Sequence, residues 1–127
     1  MSHILIIDDD DALRIVLKAS LEQMGHTVVE STDGRNGVEC YKDEAFDVVL
    51  TDLIMPDKEG IETILDLRKI NPDVKIIAMS GGGRVGPGDY LLIARQVGAK
   101  RTLTKPFPLD DLKKAIEELT ATAGGAD

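Results

Sequence analysis

Residues 4–25, ILIIDDDDALRIVLKASLEQMG, join a short apolar run to a longer amphipathic segment. The run Ile4–Ile7 contains four aliphatic residues, which predicts a strand buried on both faces. From Asp10 to Met24 the apolar residues recur at spacings of three and four, and Gly25 follows. This pattern predicts an amphipathic helix that ends at the glycine. A buried strand followed at once by a helix is the first half of a βαβ unit.

The same alternation continues along the whole chain. Further strands are predicted at Thr27–Val29, Asp47–Thr51, Val74–Met79 and Arg101–Thr104, and further helices at Asp33–Asp43, Glu59–Ile70, Asp89–Val97 and Leu109–Leu119. Five strands alternating with five helices predict an α/β fold, with a parallel sheet covered on both faces. Because crossovers are right-handed, a doubly wound five-stranded sheet flanked by five helices is the expected topology. Periodicity does not give the strand order.

Length and composition indicate one acidic domain. The 127 residues are 43% hydrophobic, which suits a single core, and we assign residues 1–121 to the domain and 122–127 to a flexible tail. The formal charge of −8 disfavours direct nucleic-acid binding, which requires a basic surface. The single cysteine, Cys40, excludes an intrachain disulfide. With neither a signal peptide nor an apolar run of about 20 residues, we expect a cytoplasmic protein that does not enter a membrane.

Polar side chains follow four of the predicted strands. Asp8 and Asp9 follow the first strand, Asp52 the third, Ser80 the fourth and Lys105 the fifth. In open α/β sheets, ligands bind beyond the carboxyl ends of the strands. The sequence therefore predicts that three carboxylates, a hydroxyl and an ammonium group lie at one edge of the sheet.

Three clustered carboxylates need a cation or protons, because each charge pair at about 4 Å costs on the order of 4 kcal/mol at an effective dielectric near 20. Carboxylate oxygens suit Mg²⁺ or Mn²⁺, and no cluster of cysteine and histidine indicates zinc. Lys105 and Ser80 can contact phosphoryl oxygens, and a carboxylate can act as a nucleophile towards phosphorus. Positioning and charge neutralisation of this kind are what phosphoryl transfer requires.

Four motifs carry a resemblance to a known family. In order and spacing, Ile4–Asp9, Asp52–Pro56 with Gly60, Ser80 and Lys105–Phe107 resemble the receiver domain of two-component response regulators. The resemblance spans most of the chain. It implies the flavodoxin-like strand order 2-1-3-4-5, which the chemotaxis members of this family share.

The resemblance also implies a phosphate acceptor and a metal site. Asp52 would accept a phosphoryl group from a histidine kinase or phosphotransfer protein. Asp9 and Asp52 would bind Mg²⁺ directly, with help from the backbone carbonyl of Ile54, and Asp8 would act mainly through water. Mn²⁺ is the expected substitute for Mg²⁺.

A signalling switch, and not an enzyme with an external substrate, is the implied function. Ser80 and Lys105 would contact the phosphoryl group, and the Lys105–Pro106 bond would be cis, as in the family. The face formed by the fourth helix, fifth strand and fifth helix would then change its binding to a downstream protein that the sequence does not identify. The domain would catalyse only its own phosphorylation and dephosphorylation, as a monomer or weak dimer.

The chain departs from the family pattern at two places. Thr102 stands where the family often has an aromatic residue that moves with the switch. The glycine-rich segment 81–88 is the second departure. Ile54 and Gly82 occupy positions that influence hydrolysis of the acyl phosphate in the family.

Other readings of these residues remain open. Asp10 and Asp11 are best explained as the start of the first helix, whose positive end favours acids. Ser80 could be a turn residue before the glycines. One alternative function is a Mg²⁺-dependent phosphohydrolase with an aspartyl-phosphate intermediate, although Asp52-Leu53-Ile54 lacks the second carboxylate of those enzymes. A flavodoxin-like cofactor binder and a receiver that only binds partners are two further alternatives.

Overall fold

The computed structural model describes the backbone of residues 2–53, 60–81 and 87–125 and the side chains of residues 2–53, 60–81 and 91–120. Strands and helices alternate strictly: β1 His3–Ile7, α1 Asp11–Gln23, β2 Thr27–Ser31, α2 Gly34–Asp43, β3 Val48–Asp52, α3 Gly60–Ile70, β4 Ile76–Ser80, α4 Pro87–Val97, β5 Arg101–Thr104 and α5 Leu109–Gly125. All ten elements predicted from the sequence are therefore present.

Some predicted boundaries were wrong by a few residues. Helix α4 begins at Pro87 and not at Asp89, consistent with the preference for proline at the first helical position. Strand β4 begins at Ile76, two residues later than predicted. Helix α5 continues to Gly125, six residues beyond its predicted end. The assignment of residues 122–127 to a flexible tail stays a prediction.

The sheet is fully parallel, in the order β2-β1-β3-β4-β5. This confirms the predicted doubly wound α/β fold and the strand order that the resemblance implied. Ile7 pairs with Thr51, and Asp52 pairs with Met79. The carboxyl ends of β1, β3 and β4 therefore lie side by side at one edge.

A hydrophobic core fills each face of the sheet. Successive side chains of a strand point to opposite faces, so Leu5 and Ile7 of β1 pack with helices α2, α3 and α4, while Ile4 and Ile6 pack with α1 and α5. All four side chains are fully buried. The run Ile4–Ile7 therefore lies in a strand buried on both faces, as predicted.

Two aspartates fix the starts of helices near the sheet. Asp10 accepts a hydrogen bond from the backbone N–H of Leu13 at 3.1 Å, and Asp33 accepts one from Asn36 at 2.8 Å. Both are N-caps, which confirms the helix-start reading of Asp10. Among the described helices, none is long and apolar enough to cross a membrane.

Candidate functional site

Three carboxylates meet at the carboxyl edge of the sheet. Asp8 and Asp9 follow β1, and Asp52 is the last residue of the neighbouring strand β3. Each offers an oxygen, and these oxygens lie within 4.8 Å of one another. Asp8 and Asp52 are buried, whereas Asp9 is exposed. The structure thus brings the three predicted carboxylates together with one side open to solvent.

Asp8 is held at both carboxylate oxygens. Its Oδ1 accepts a hydrogen bond of 2.9 Å from the backbone N–H of Asp10, and its Oδ2 accepts one of 2.8 Å from Lys105 Nζ. The side chain is fully buried. Charge-assisted bonds of this length are among the stronger hydrogen bonds in proteins, so Asp8 has a fixed orientation.

Asp52 is held by its own neighbour and by the start of α3. Its Oδ1 accepts a hydrogen bond of 2.9 Å from the backbone N–H of Leu53 and lies 3.5 Å from Lys105 Nζ. Gly60 packs directly beneath it, since a Cβ at that position would lie 2.4 Å from the carbonyl oxygen of Asp52. The backbone that carries Asp52 therefore depends on the absence of a side chain at Gly60.

Lys105 links the carboxylates to the end of β5. The Lys105–Pro106 peptide bond is cis, as the resemblance implied, and the Lys105 backbone N–H donates to the Ser80 carbonyl at 2.8 Å. Burial lowers the pKa of Lys105, but the hydrogen bond to Asp8 and the negative charge of Asp52 outweigh it, so the pKa lies above its ordinary value. The amine is therefore a stable positive charge between two carboxylates.

Ser80 lies at the same edge, at the end of β4. Its side chain is fully buried, and its hydroxyl donates a long hydrogen bond of 3.4 Å to the carbonyl of Gly81. Because Asp52 pairs with Met79, Ser80 is one residue beyond the register position of Asp52. Ser80 therefore lies at the same edge as the carboxylates, and its hydroxyl bonds to the backbone of the adjacent Gly81.

Ile54 and Gly82 lie outside the described residues, so the backbone carbonyl of Ile54 as a metal ligand stays a prediction. Thr102 is partly buried in the middle of β5, paired with Ala78.

The donor set fits a hard divalent cation. Asp8, Asp9 and Asp52 offer carboxylate oxygens, against the single ammonium of Lys105. Mg²⁺ typically takes one or two carboxylates and completes its shell with water and phosphate oxygens, and the exposed Asp9 leaves an open side for these. The cluster is therefore compatible with a metal ion and with a phosphoryl group beside it.

One residue of this region was missed by the sequence reasoning. Arg14 of α1 is 9% exposed, and its guanidinium donates to the backbone carbonyl of Asp8 at 2.8 Å. A signal was present, because Arg14 occurs three and seven positions before Leu17 and Leu21, on the buried stripe of the helix. A charged residue on an apolar stripe indicates a buried polar partner.

Comparisons with known proteins agree with this geometry. The sequence profile of the response regulator receiver domain matches residues 4–117. The chain is 35% identical to the chemotaxis protein CheY of Thermotoga maritima over 93% of this chain and 97% of that protein. None of this supports the phosphohydrolase alternative.

Solved structures have the same fold. A response regulator receiver domain protein from Clostridium thermocellum superposes with a TM-score of 0.90 at 28% identity, over 100% of both chains. The beryllofluoride-activated NtrC4 receiver domain, a dimer in solution, matches with a TM-score of 0.80 at 30% identity, over 93% of this chain and 98% of that one. With its parallel sheet, its acidic cluster and its lysine at the end of β5, the chain belongs to the response regulator receiver domains, the phosphorylation-activated switches of two-component signalling.

Proposed function

We propose that Asp52 is the phosphate acceptor of this switch and that its donor is a histidine kinase or phosphotransfer protein. The observation that carries the proposal is the position of the Asp52 carboxylate, buried at the end of β3 and 3.5 Å from the ammonium of Lys105. In the transfer, an Asp52 oxygen bonds to phosphorus, the P–N bond of the phosphohistidine breaks, and the imidazole nitrogen keeps the electron pair.

The acidic cluster has a role in the same step. Asp8, Asp9 and Asp52 would hold Mg²⁺, or Mn²⁺ in its place, together with the backbone carbonyl of Ile54. A bound divalent cation supplies charge neutralisation for the transferring phosphoryl oxygens. Lys105 stabilises the same negative charge, and the hydrogen bond from the Asp10 backbone keeps Asp8 oriented towards the site.

The output of the switch begins at Ser80 and Lys105. Both would contact the phosphoryl group, and the Lys105 backbone is already bonded to the Ser80 carbonyl at 2.8 Å. A movement of either residue therefore acts on β4 and β5 together. Phosphorylation would bias two pre-existing conformations of the face formed by α4, β5 and α5. Thr102 replaces the aromatic residue that the family often uses there.

The partners and the location belong to the same proposal. The switch would act on a downstream protein, without direct contact with nucleic acid or membrane, as a monomer or weak dimer in the cytoplasm. It would have no external substrate. Sedimentation with and without a phosphoryl analogue tests the oligomeric state, and cell fractionation tests the location.

We expect the phosphodonor to dock beside α1. A cavity of about 480 Å³ adjoins Lys105 and is lined by apolar side chains that include Leu13, Val16 and Phe107. Val16 is 52% exposed. We expect Val16→Glu to slow transfer from a phosphohistidine protein that serves the wild-type chain, and to leave phosphorylation by acetyl phosphate unchanged.

Acetyl phosphate with Mg²⁺ tests the acceptor directly. The wild-type chain should gain a hydroxylamine-labile phosphoryl group, detected by intact mass and located at Asp52 by peptide mapping. Asp52→Asn should abolish the gain. Asp10→Asn is the matched control, because asparagine caps a helix as well as aspartate and Asp10 lies outside the carboxylate cluster. A wild-type chain that gains no label at Asp52, or an Asp52→Asn variant that is labelled as before, would refute the proposal.

A further inference from the structure

Arg14 is a buried cation in the first turns of α1. Its side chain is only 10% exposed, and it shares the buried stripe of the helix with the apolar Leu17 and Leu21. Burial of a charge is costly unless every donor is paired, so the position needs a compensating network. The hydrogen bonds of Arg14 connect it to Asp8 of the acidic site.

The guanidinium joins three separate parts of the chain. It donates to the backbone carbonyl of Asp8 at 2.8 Å, to the carboxylate of Asp11 at 2.6 Å and to the carboxylate of Glu30 at 3.1 Å. Asp8 follows β1, Asp11 begins α1, and Glu30 lies in β2. The planar fork of arginine has donors for all three, whereas a lysine ammonium is a single point charge on a flexible stem.

Asp8 is consequently held from two sides. Arg14 holds its backbone carbonyl, and Lys105 and the Asp10 backbone N–H hold its two carboxylate oxygens. Asp9 is the next residue, so the same anchor limits the position of both acids. Partners behind the ligands of a metal typically set ligand orientation and with it the affinity for the ion.

We propose that Arg14 is a positioning residue for the divalent-cation site: its guanidinium anchors the backbone of Asp8 and thereby directs Asp8 and Asp9 towards Asp52. The inference rests on the proposed function, since it concerns the same metal site. Arg14 contacts neither the cation nor the phosphoryl group and acts only through Asp8.

Positioning and simple electrostatics predict opposite results for this residue. A positive charge near a cation site repels the cation, so an Arg14 that acted only by its charge would weaken Mg²⁺ binding. Arg14→Met would then tighten binding, and Arg14→Lys would leave it unchanged. If Arg14 positions Asp8, both substitutions weaken binding, because both lose the fork.

Mg²⁺ affinity of the full chain, measured by calorimetry, separates the two cases. We expect Arg14→Lys to bind Mg²⁺ about tenfold more weakly than the wild type, the lower end of what loss of such a partner costs. Arg14→Met should also bind more weakly. The matched control is Lys18→Met, which removes a cation 3.3 Å from the same Glu30 without a bond to Asp8, and its affinity should be unchanged.

Hydrogen exchange gives a second measurement that needs no metal. The Asp10 backbone N–H donates to Asp8 Oδ1, so its exchange reports the orientation of that carboxylate. Without Mg²⁺, the Asp10 backbone N–H should exchange faster in Arg14→Lys than in the wild type. In Lys18→Met its exchange rate should equal that of the wild type.

Urea unfolding of each variant establishes that the domain is folded. Should both Arg14 variants fail to fold, Glu30→Gln takes their place, because it loosens Arg14 and should likewise weaken Mg²⁺ binding.

Three results would overturn the inference. They are wild-type Mg²⁺ affinity in folded Arg14→Lys, tighter Mg²⁺ binding in Arg14→Met, and, when Glu30→Gln is the variant tested, wild-type affinity in that variant. Failure of the proposed function looks different. In that case the wild-type chain itself binds no Mg²⁺ and takes up no phosphoryl group from acetyl phosphate.

Discussion

The two edges of the same parallel sheet use charged residues in different ways. At the amino edge, His3 at the start of β1 bonds to Glu44 at 2.5 Å and to Thr27 at 2.6 Å, and its ring stacks on Phe46. The side chains of His3 and Glu44 are 29% and 50% exposed. At the carboxyl edge, Asp8 and Asp52 are almost fully buried.

The difference lies in charge balance as well as burial. At the amino edge, one imidazole meets one carboxylate near solvent, and an exposed pair of this kind contributes little to stability. At the carboxyl edge, three carboxylates, two of them buried, meet the ammonium of Lys105, and this excess of negative charge favours a bound cation. A buried and unbalanced cluster therefore indicates a functional site more strongly than the number of charged residues does.

Glycines provide the largest expected contrast between the edges. Gly60→Val should destabilise the domain by roughly 3 kcal/mol, because its Cβ would collide with the backbone of Asp52 and Leu53 at 2.4 Å. Gly25→Ala, near the amino edge, should cost only about 1 kcal/mol, since its φ of 95° is unfavourable for alanine but the space around it is open. Urea unfolding measures both. Equal losses would remove the contrast.

Lys105→Met should have the next largest effect, about 2 kcal/mol, because it leaves the buried Asp8 without its cation. The side chain of Lys105 is 19% exposed, so solvent reduces the loss. Millimolar Mg²⁺ should restore more stability to the variant than to the wild type. Thermal unfolding with and without Mg²⁺ measures this, and an identical gain in both proteins would contradict it.

The sign of the pH dependence follows from the raised pKa of Lys105. The folded state binds the Lys105 ammonium proton more tightly than the unfolded state, in which the lysine pKa is near 10.5. The contribution of Lys105 to stability is fully present below that pH. It is lost only as the pH rises through the higher pKa of Lys105 in the folded state. The difference in stability between wild type and Lys105→Met should therefore be constant in pH near neutrality, as far as Lys105 itself is concerned.

His3→Gln should have the smallest effect, at most about 1 kcal/mol, because the amino-edge pair is partly exposed. Labelling by acetyl phosphate and the affinity for Mg²⁺ should remain those of the wild type. A change in either would show that the two edges are coupled and that the contrast between them is incomplete.

Local pattern was sufficient for most of the fold and for the polar residues that lie at the carboxyl edge of the sheet. Alternating apolar runs and amphipathic segments identified all ten elements, and the polar residues after the strands identified Asp8, Asp9, Asp52, Ser80 and Lys105. These inferences succeed because burial imposes a period on each element separately. Boundaries such as the end of α5 were less accurate, since ends depend on weak local preferences.

The contacts that set the geometry of the site came only from the tertiary structure. Lys105 bonds most closely to Asp8, 97 residues away in sequence, and lies farther from Asp52. Two other contacts could also be seen only in the folded structure. They are the hydrogen bond from Arg14 to the Asp8 backbone and the close packing of Gly60 beneath Asp52. Sequence by itself determined which residues reach the carboxyl edge of the sheet. The strand order and the packing between distant segments decided which of these residues contact one another. The periodic pattern within a single helix or strand carries no information about either.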